Sequence, residues 1–315
     1  MSFDLHPEMT PLIKAREALP VGKNLAEDRA NWSAYARANA APRPEGLSVE
    51  DRTIKGKGGH EVPIRIYTPA GNAPAGGRAA LVYFHGGGFI KGDCDTSDTN
   101  GWGLAVETDA VVVSVDYRLA PEHPFPAPFD DCKSALLDVH DNPSAYGVDP
   151  ARIGVVGDSA GGNLAAAIAL WARDHNGPAL RCQGLIYPCL TDRLGFASYT
   201  RNAEAPGLTT SSMGSYWVAY LGANKAGKST DPLATPLVAD DLSGLPPAYM
   251  LVAEYDPLFD DGVAYGAKLM SAGVETGFYA AEGMIHGFVR ARVTGPDSAK
   301  AFGAMTAFLK AKLDV

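Results

Sequence analysis

Two kinds of hydrophobic pattern alternate along this chain. Val62, Ile64 and Ile66 alternate with Pro63, Arg65 and Tyr67, the period of a strand with one buried face. The later runs barely alternate: Ala79–Phe84, Val111–Val115, Ile153–Val156 and Tyr249–Val252 are almost continuously apolar. Such runs predict central strands of a parallel sheet, covered on both faces. Between them, helical spacing holds over Thr96–Thr108, Pro128–Asp141, Ala160–Asp174 and Asp260–Gly273, and again over Ala299–Leu313. Strands alternating with helices imply an α/β fold, a mostly parallel central sheet flanked by helices and joined by right-handed crossovers.

Two segments stand outside this alternation. Residues 1–45 are rich in Ala, Pro and charge. They predict two short amphipathic helices, Thr10–Leu19 and Leu25–Ala40, stopped by Ala41-Pro42-Arg43-Pro44. The second segment separates a strand at Gly184–Tyr187 from the next at Ala248–Ala253, and is far longer than a simple crossover needs. It places Met213, Tyr216, Trp217, Tyr220 and Leu221 at helical spacing. We expect residues 1–45 and about 188–230 to form a helical cap on an α/β domain spanning 46–315. Bulky cap side chains would close a pocket over the site. A docked helix that only completes the core is the simpler alternative.

Composition narrows the function. The chain has 315 residues, 46 % hydrophobic and 20 % charged, enough for a core without disulfide or metal staples. A net charge of −9 argues against a nucleic-acid or anionic-membrane binder. Cys94, Cys132, Cys182 and Cys189 form no C-x-x-C pair and no zinc-like spacing, and read as reduced thiols of a cytoplasmic protein. The first thirty residues lack the apolar stretch of a signal peptide. The longest apolar run, Leu164–Ala172, is too short to span a bilayer.

Gly157-Asp158-Ser159-Ala160-Gly161-Gly162 follows one strand and opens a helix. This is G-x-S-x-G in strand–turn–helix context, a turn that lifts a nucleophilic serine above a sheet. The helix start turns free N–H groups and the positive dipole end toward Ser159, where an oxyanion would develop. His85-Gly86-Gly87-Gly88-Phe89 follows another strand and matches the glycine-rich oxyanion loop of lipases and esterases. His85 lies on the wrong loop for a base and is expected to brace it. Glu254, Asp256, Asp260 and Asp261 follow a further strand, where the working loops of an α/β sheet lie. Capping of the next helix accounts for Asp260 and Asp261. Of seven histidines, His286 alone follows these acids, as the order Ser…Asp…His requires.

With Asp116-Tyr117-Arg118-Leu119-Ala120-Pro121-Glu122, Asp256-Pro257-Leu258 and His286-Gly287-Phe288 added in order, the chain resembles the hormone-sensitive lipase family of α/β-hydrolases, the bacterial family IV esterases. The resemblance covers residues from about 80 to 290 and selects Asp256 as the acid. It implies an α/β-hydrolase fold and hydrolysis of short- to medium-chain acyl esters through an acyl-enzyme. Ser159 would attack, His286 would take its proton, and Asp256 would orient His286. Ala160, Gly87 and Gly88 would supply the oxyanion N–H groups, the two glycines by resemblance. Arg118 and Glu122 are expected to pair beneath the elbow, with Asp158 as further support. No metal or organic cofactor is expected, and the partner is a small-molecule ester. An amidase, a lactonase, a carbamate hydrolase and a non-catalytic receptor remain alternatives on the same fold. The strand Glu275–Tyr279 is expected at a sheet edge, where it would pair in a homodimer.

Overall fold

The computed structural model describes residues 3–314. Eight strands form one sheet: β1 (Ser48–Lys55), β2 (Glu61–Thr68), β3 (Arg78–Phe84), β4 (Val111–Val115), β5 (Val148–Asp158), β6 (Leu180–Ile186), β7 (Ala248–Tyr255) and β8 (Thr276–Ile285). Their order across the sheet is β1-β2-β4-β3-β5-β6-β7-β8. The β1–β2 and β2–β4 pairs are antiparallel, and all others are parallel.

The helices are α1 (Thr10–Glu17), α2 (Leu25–Ala38), α3 (Asp98–Thr108), α4 (Ala127–Asp141), α5 (Pro143–Tyr146), α6 (Ala160–Asp174), α7 (Ala197–Arg201), α8 (Thr210–Leu221), α9 (Phe259–Ser271) and α10 (Pro296–Leu313). One face of the sheet packs on Phe129 and Leu136 of α4, Leu164 and Ile168 of α6, and Tyr265 and Leu269 of α9. The other packs on Leu104 of α3 and on Phe302, Met305 and Leu309 of α10. Both faces being covered, β3 and β4 bury every residue, which is why their sequences do not alternate.

Two strands depart from their sequence pattern. β2 was expected to bury one face only, yet Arg65 is 9 % exposed and Tyr67 fully buried. The cause is α3: a Cβ on Gly101 would lie 2.5 Å from the Tyr67 ring, so this helix lies directly on the second face. Asp98 at the start of α3 accepts from the Tyr67 hydroxyl at 2.8 Å and from Arg65 at 3.2 Å. β1 gave no clear apolar period, because Glu50, Asp51, Arg52 and Lys55 make it a charged edge strand. At the opposite edge, β8 runs further than Glu275–Tyr279 predicts, to Ile285. The connection from β6 to β7, residues 187–247, carries α7 and α8.

Candidate active site

β5 ends at Asp158 and α6 begins at Ala160, so Ser159 alone makes the turn. Its φ of 57° and ψ of −117° lie in a region that costs a non-glycine residue about 1–3 kcal/mol. Glycines allow so sharp a reversal. A Cβ on Gly157 would collide with the Gly161 carbonyl, and one on Gly161 with the Phe84 carbonyl of β3. The Ser159 N–H donates to the Ile186 carbonyl at the end of β6, 2.8 Å away, which locks the turn to the sheet.

Asp256 follows β7 directly and His286 follows β8 directly. Asp256 is fully buried. Its Oδ1 accepts from the Leu258 N–H at 2.9 Å, and its Oδ2 lies 2.6 Å from His286 Nδ1. An ionised carboxylate only accepts, so Nδ1 carries the proton and Nε2 is left as an acceptor. Nε2 lies 2.9 Å from Ser159 Oγ, which donates to it. Three strand ends at the carboxyl edge of the sheet thus bring Ser159, His286 and Asp256 into one line. The arrangement can raise the nucleophilicity of a hydroxyl and hold the imidazolium that forms.

The glycine loop is fixed from below. Asp158 Oδ1 accepts from the Tyr83 hydroxyl at 2.6 Å and from the Gly86 N–H at 3.1 Å. The His85 ring stacks on Tyr117 at 4.3 Å, and the Tyr117 hydroxyl donates to the His85 carbonyl at 2.6 Å. With the Gly86 amide engaged, the amides of Gly87 and Gly88 make no hydrogen bond among the described residues. Their φ values of 138° and 61° suit glycine. Ala160 opens α6, and no carbonyl of that helix reaches its N–H.

These groups floor a narrow cleft that is partly open to solvent. Its rim comes from Arg16 of α1, Trp32 and Tyr35 of α2, Leu208, Tyr216 of α8, Lys91 and Arg290. Tyr216 sits hard against the glycine loop, since a Cβ on Gly88 would lie 2.6 Å from its ring. Met213, Trp217 and Tyr220, expected to close the pocket, are buried instead. They form the inward stripe of α8, and Tyr220 stacks on Phe89 at 3.8 Å.

One expected pairing differs. Arg118 meets Asp131 of α4 at 2.9 Å, its backbone N–H and guanidinium both donating to that carboxylate, and Glu122 reaches Arg29 of α2 at 2.7 Å. Asp260 and Asp261 do not cap α9. Asp260 Oδ2 accepts from the Ser198 N–H at 2.8 Å, and Asp261 Oδ2 from the Leu190 and Thr191 N–H groups at 2.8 and 3.2 Å. Burial pushes the Asp261 carboxyl up to about 8 despite those donors. Sequence reasoning missed Asn202, which donates at 2.9 Å to both the Glu254 and Asp256 carbonyls and so holds the acid's loop. A lone Asn in an insertion gives no sequence signal for that task. Glu254 accepts from the Gly283 N–H at 2.7 Å and steadies the strand that delivers His286.

A family model described as the alpha/beta hydrolase fold matches residues 81–290. The chain belongs to this family. Within it, it is of the hormone-sensitive lipase type, as its resemblances indicate. It is 40 % identical to the carboxylesterase NlhH of Mycobacterium tuberculosis, over 98 % of this chain and 97 % of that protein. It is 37 % identical to the ethyl acetate hydrolase of Pseudomonas putida, over 80 % of this chain and 79 % of that protein. Among solved structures, an ester hydrolase from the metagenome of Lake Arreo superposes with a TM-score of 0.91 at 36 % identity, covering 99 % of this chain and 100 % of the other. That ester hydrolase is complexed with a derivative of bipyridine phosphonate.

Proposed function

We propose that Ser159, His286 and Asp256 carry out the ester hydrolysis of this α/β-hydrolase, with Gly87, Gly88 and Ala160 as its oxyanion hole. The chain is a carboxylic ester hydrolase that works through an acyl-enzyme. The observation that carries the residue assignment is the unbroken line from Ser159 Oγ to His286 Nε2, 2.9 Å, and from His286 Nδ1 to Asp256, 2.6 Å. Ser159 attacks the ester carbonyl while its proton moves to Nε2, and Asp256 stabilises the imidazolium. The free amides of Gly87, Gly88 and Ala160 take the charge on the tetrahedral oxygen. His286 then protonates the leaving alcohol, and a water activated by His286 releases the acid.

The preferred acyl chain is short to medium. Leu208 is the one aliphatic side chain on a rim otherwise built of cations and rings, so few added methylenes can be buried there. Residues 1–45 and about 188–230 act as a cap, a reading supported by the lining that α1, α2 and α8 contribute. No helix among the described residues is long and apolar enough to cross a membrane. Cys94, Cys132, Cys182 and Cys189 are buried and unpaired, which supports a reducing, cytoplasmic setting. β8 is the last strand of the sheet, and we read its open edge as a pairing surface for a second copy. A monomer by light scattering at micromolar concentration would count against that pairing.

The residue assignment is tested by a fluorophosphonate probe and a nitrophenyl ester. Wild-type protein should be labelled on Ser159 and should turn over 4-nitrophenyl acetate. Ser159→Ala should lose labelling and about 10⁴–10⁶ in kcat, with unchanged circular dichroism. A folded variant retaining a tenth of the activity would refute the assignment.

A further inference from the structure

Three cations and three aromatic rings alternate around the rim of the cleft. The Arg16 guanidinium lies 5.6 Å from the Tyr35 ring centroid. Arg290 lies 5.8 Å from the same ring and 4.9 Å from Trp32. Lys91 Nζ lies 5.2 Å from Trp32 and 5.4 Å from Tyr216. All six residues line the cleft that holds Ser159 and His286.

The rings hold these cations in place without neutralising them. Among the described residues, none of the three has a carboxylate at ion-pair distance, whereas Arg29, Arg65, Arg118 and Arg292 each do. The side-chain donors are also largely free. Arg16 donates to the Gly207 carbonyl, Arg290 to the Thr96 carbonyl at 2.8 Å and Lys91 to the Tyr216 hydroxyl at 3.2 Å. No other side-chain hydrogen bond of these three groups occurs among the described residues. Asp158, the acid lining the cleft, already accepts from Tyr83 and Gly86. A molecule with a net charge of −9 therefore gathers three cations without ion-pair partners at its reaction site.

We propose that the ester this site selects bears an anionic group, a carboxylate, received by Arg16, Lys91 and Arg290. The proposal rests on the ester-hydrolase reading and names the substrate class within it. A purely apolar substrate would strip water from these cations and offer nothing in return. A carboxylate matches the guanidinium fork and completes the donors left open. It can sit on the acyl side of the ester, as in a monoester of a dicarboxylic acid, or on the alcohol side.

Matched ester pairs separate these cases. For the acyl side the pair is mono(4-nitrophenyl) glutarate and its methyl diester. For the alcohol side it is 4-acetoxybenzoate and its methyl ester. Each kcat/KM is divided by the rate of hydroxide-catalysed hydrolysis. The acid-to-neutral ratio should exceed one by about tenfold in at least one pair at low salt, and should fall as sodium chloride is added. Arg290→Gln and Lys91→Met should bring that ratio toward one, chiefly through the KM of the acidic ester, and Arg290→Lys should restore part of it. A purely structural latch between α2, the glycine loop and α8 would lower stability and both rates together, leaving the ratio fixed. A ratio at or below one in both pairs, or one that no variant moves, overturns the proposal. The wild-type ratio and its salt dependence decide the matter even where a variant does not fold. A protein that hydrolyses the acidic and neutral members equally in both pairs overturns this inference alone, whereas one that hydrolyses none of the four esters overturns the ester-hydrolase reading with it.

Discussion

On the floor of the cleft, Ser159, His286, Asp256 and Leu258 are joined by hydrogen bonds of 2.6 to 2.9 Å. On the rim, Arg16, Tyr35, Arg290, Trp32, Lys91 and Tyr216 meet at 4.9 to 5.8 Å, cation against ring. Floor bonds are directional, lie on strand ends and are short enough that a small displacement breaks them. Rim contacts are broad in angle and tolerate sliding. Proton transfer needs the first kind of contact, and sorting of substrates needs only the second. The molecule thus keeps its triad on strand ends, and builds its rim where α1, α2 and α8 meet the loops carrying Lys91 and Arg290, which leave β3 and β8 of the same sheet.

The comparison breaks most sharply where the floor is tightest. Gly161→Ala drives a methyl group into the Phe84 carbonyl of β3, a backbone atom held by strand pairing on both sides. A loss of about 3 kcal/mol or more is expected, read by urea unfolding. Gly303→Ala on α10 meets open space and should be neutral or stabilising by roughly 0.5–1 kcal/mol. Equal losses at the two positions would show that the elbow is no tighter than a helix surface.

Asp261 tests the support behind the floor, because it ties the Leu190–Thr191 strap, which follows β6, to α9, which follows the Asp256 loop. Its folded value near 8 lies above an unfolded value of about 3.9. The protonated form is therefore the one the fold favours. Its stabilisation is complete below about pH 4 and is lost as pH rises through 8, at up to about 1.4 kcal/mol per pH unit within that window. Asp261→Asn, neutral throughout, should flatten this decline in urea unfolding at pH 5, 7 and 9. A variant whose stability falls as steeply as wild type would exclude Asp261 as the cause.

The smallest expected effect lies at the rim. Along nitrophenyl acetate, butyrate, hexanoate, decanoate and palmitate, each buried methylene adds about 0.8 kcal/mol, and nothing once the chain leaves Leu208 and the rings behind. kcat/KM should rise over the first members and then fall. A maximum at palmitate would mean an apolar channel deeper than this rim allows.

Much of the floor was legible because its constraints are local. Ser159 is framed by glycines that its own turn requires, and the glycine loop follows its strand without a gap. His286 was reached by chain order. The rest depended on contacts that no short window contains. Arg118 took Asp131 rather than Glu122, decided by where α2 and α4 lie. The stripe of Met213, Trp217 and Tyr220 was visible, but not that it turns inward and leaves Tyr216 to the cleft. Asn202 shows no pattern at all, and its two carbonyl partners lie more than fifty residues away.

The sequence by itself determined the mostly parallel sheet, the elbow and the glycine loop. Each is dictated by backbone requirements within a few residues: a period, a forbidden Cβ, a strand running into a helix. Only the tertiary structure decided which side chains look into the cleft. Arg16, Lys91 and Arg290 lie on three distant stretches of chain, and their shared rim exists because α1, α2 and α8 pack over the strand ends. Charge and aromatic content can be counted in a sequence, but their juxtaposition is set by how buried surfaces fit together, and that fit is a property of the whole fold.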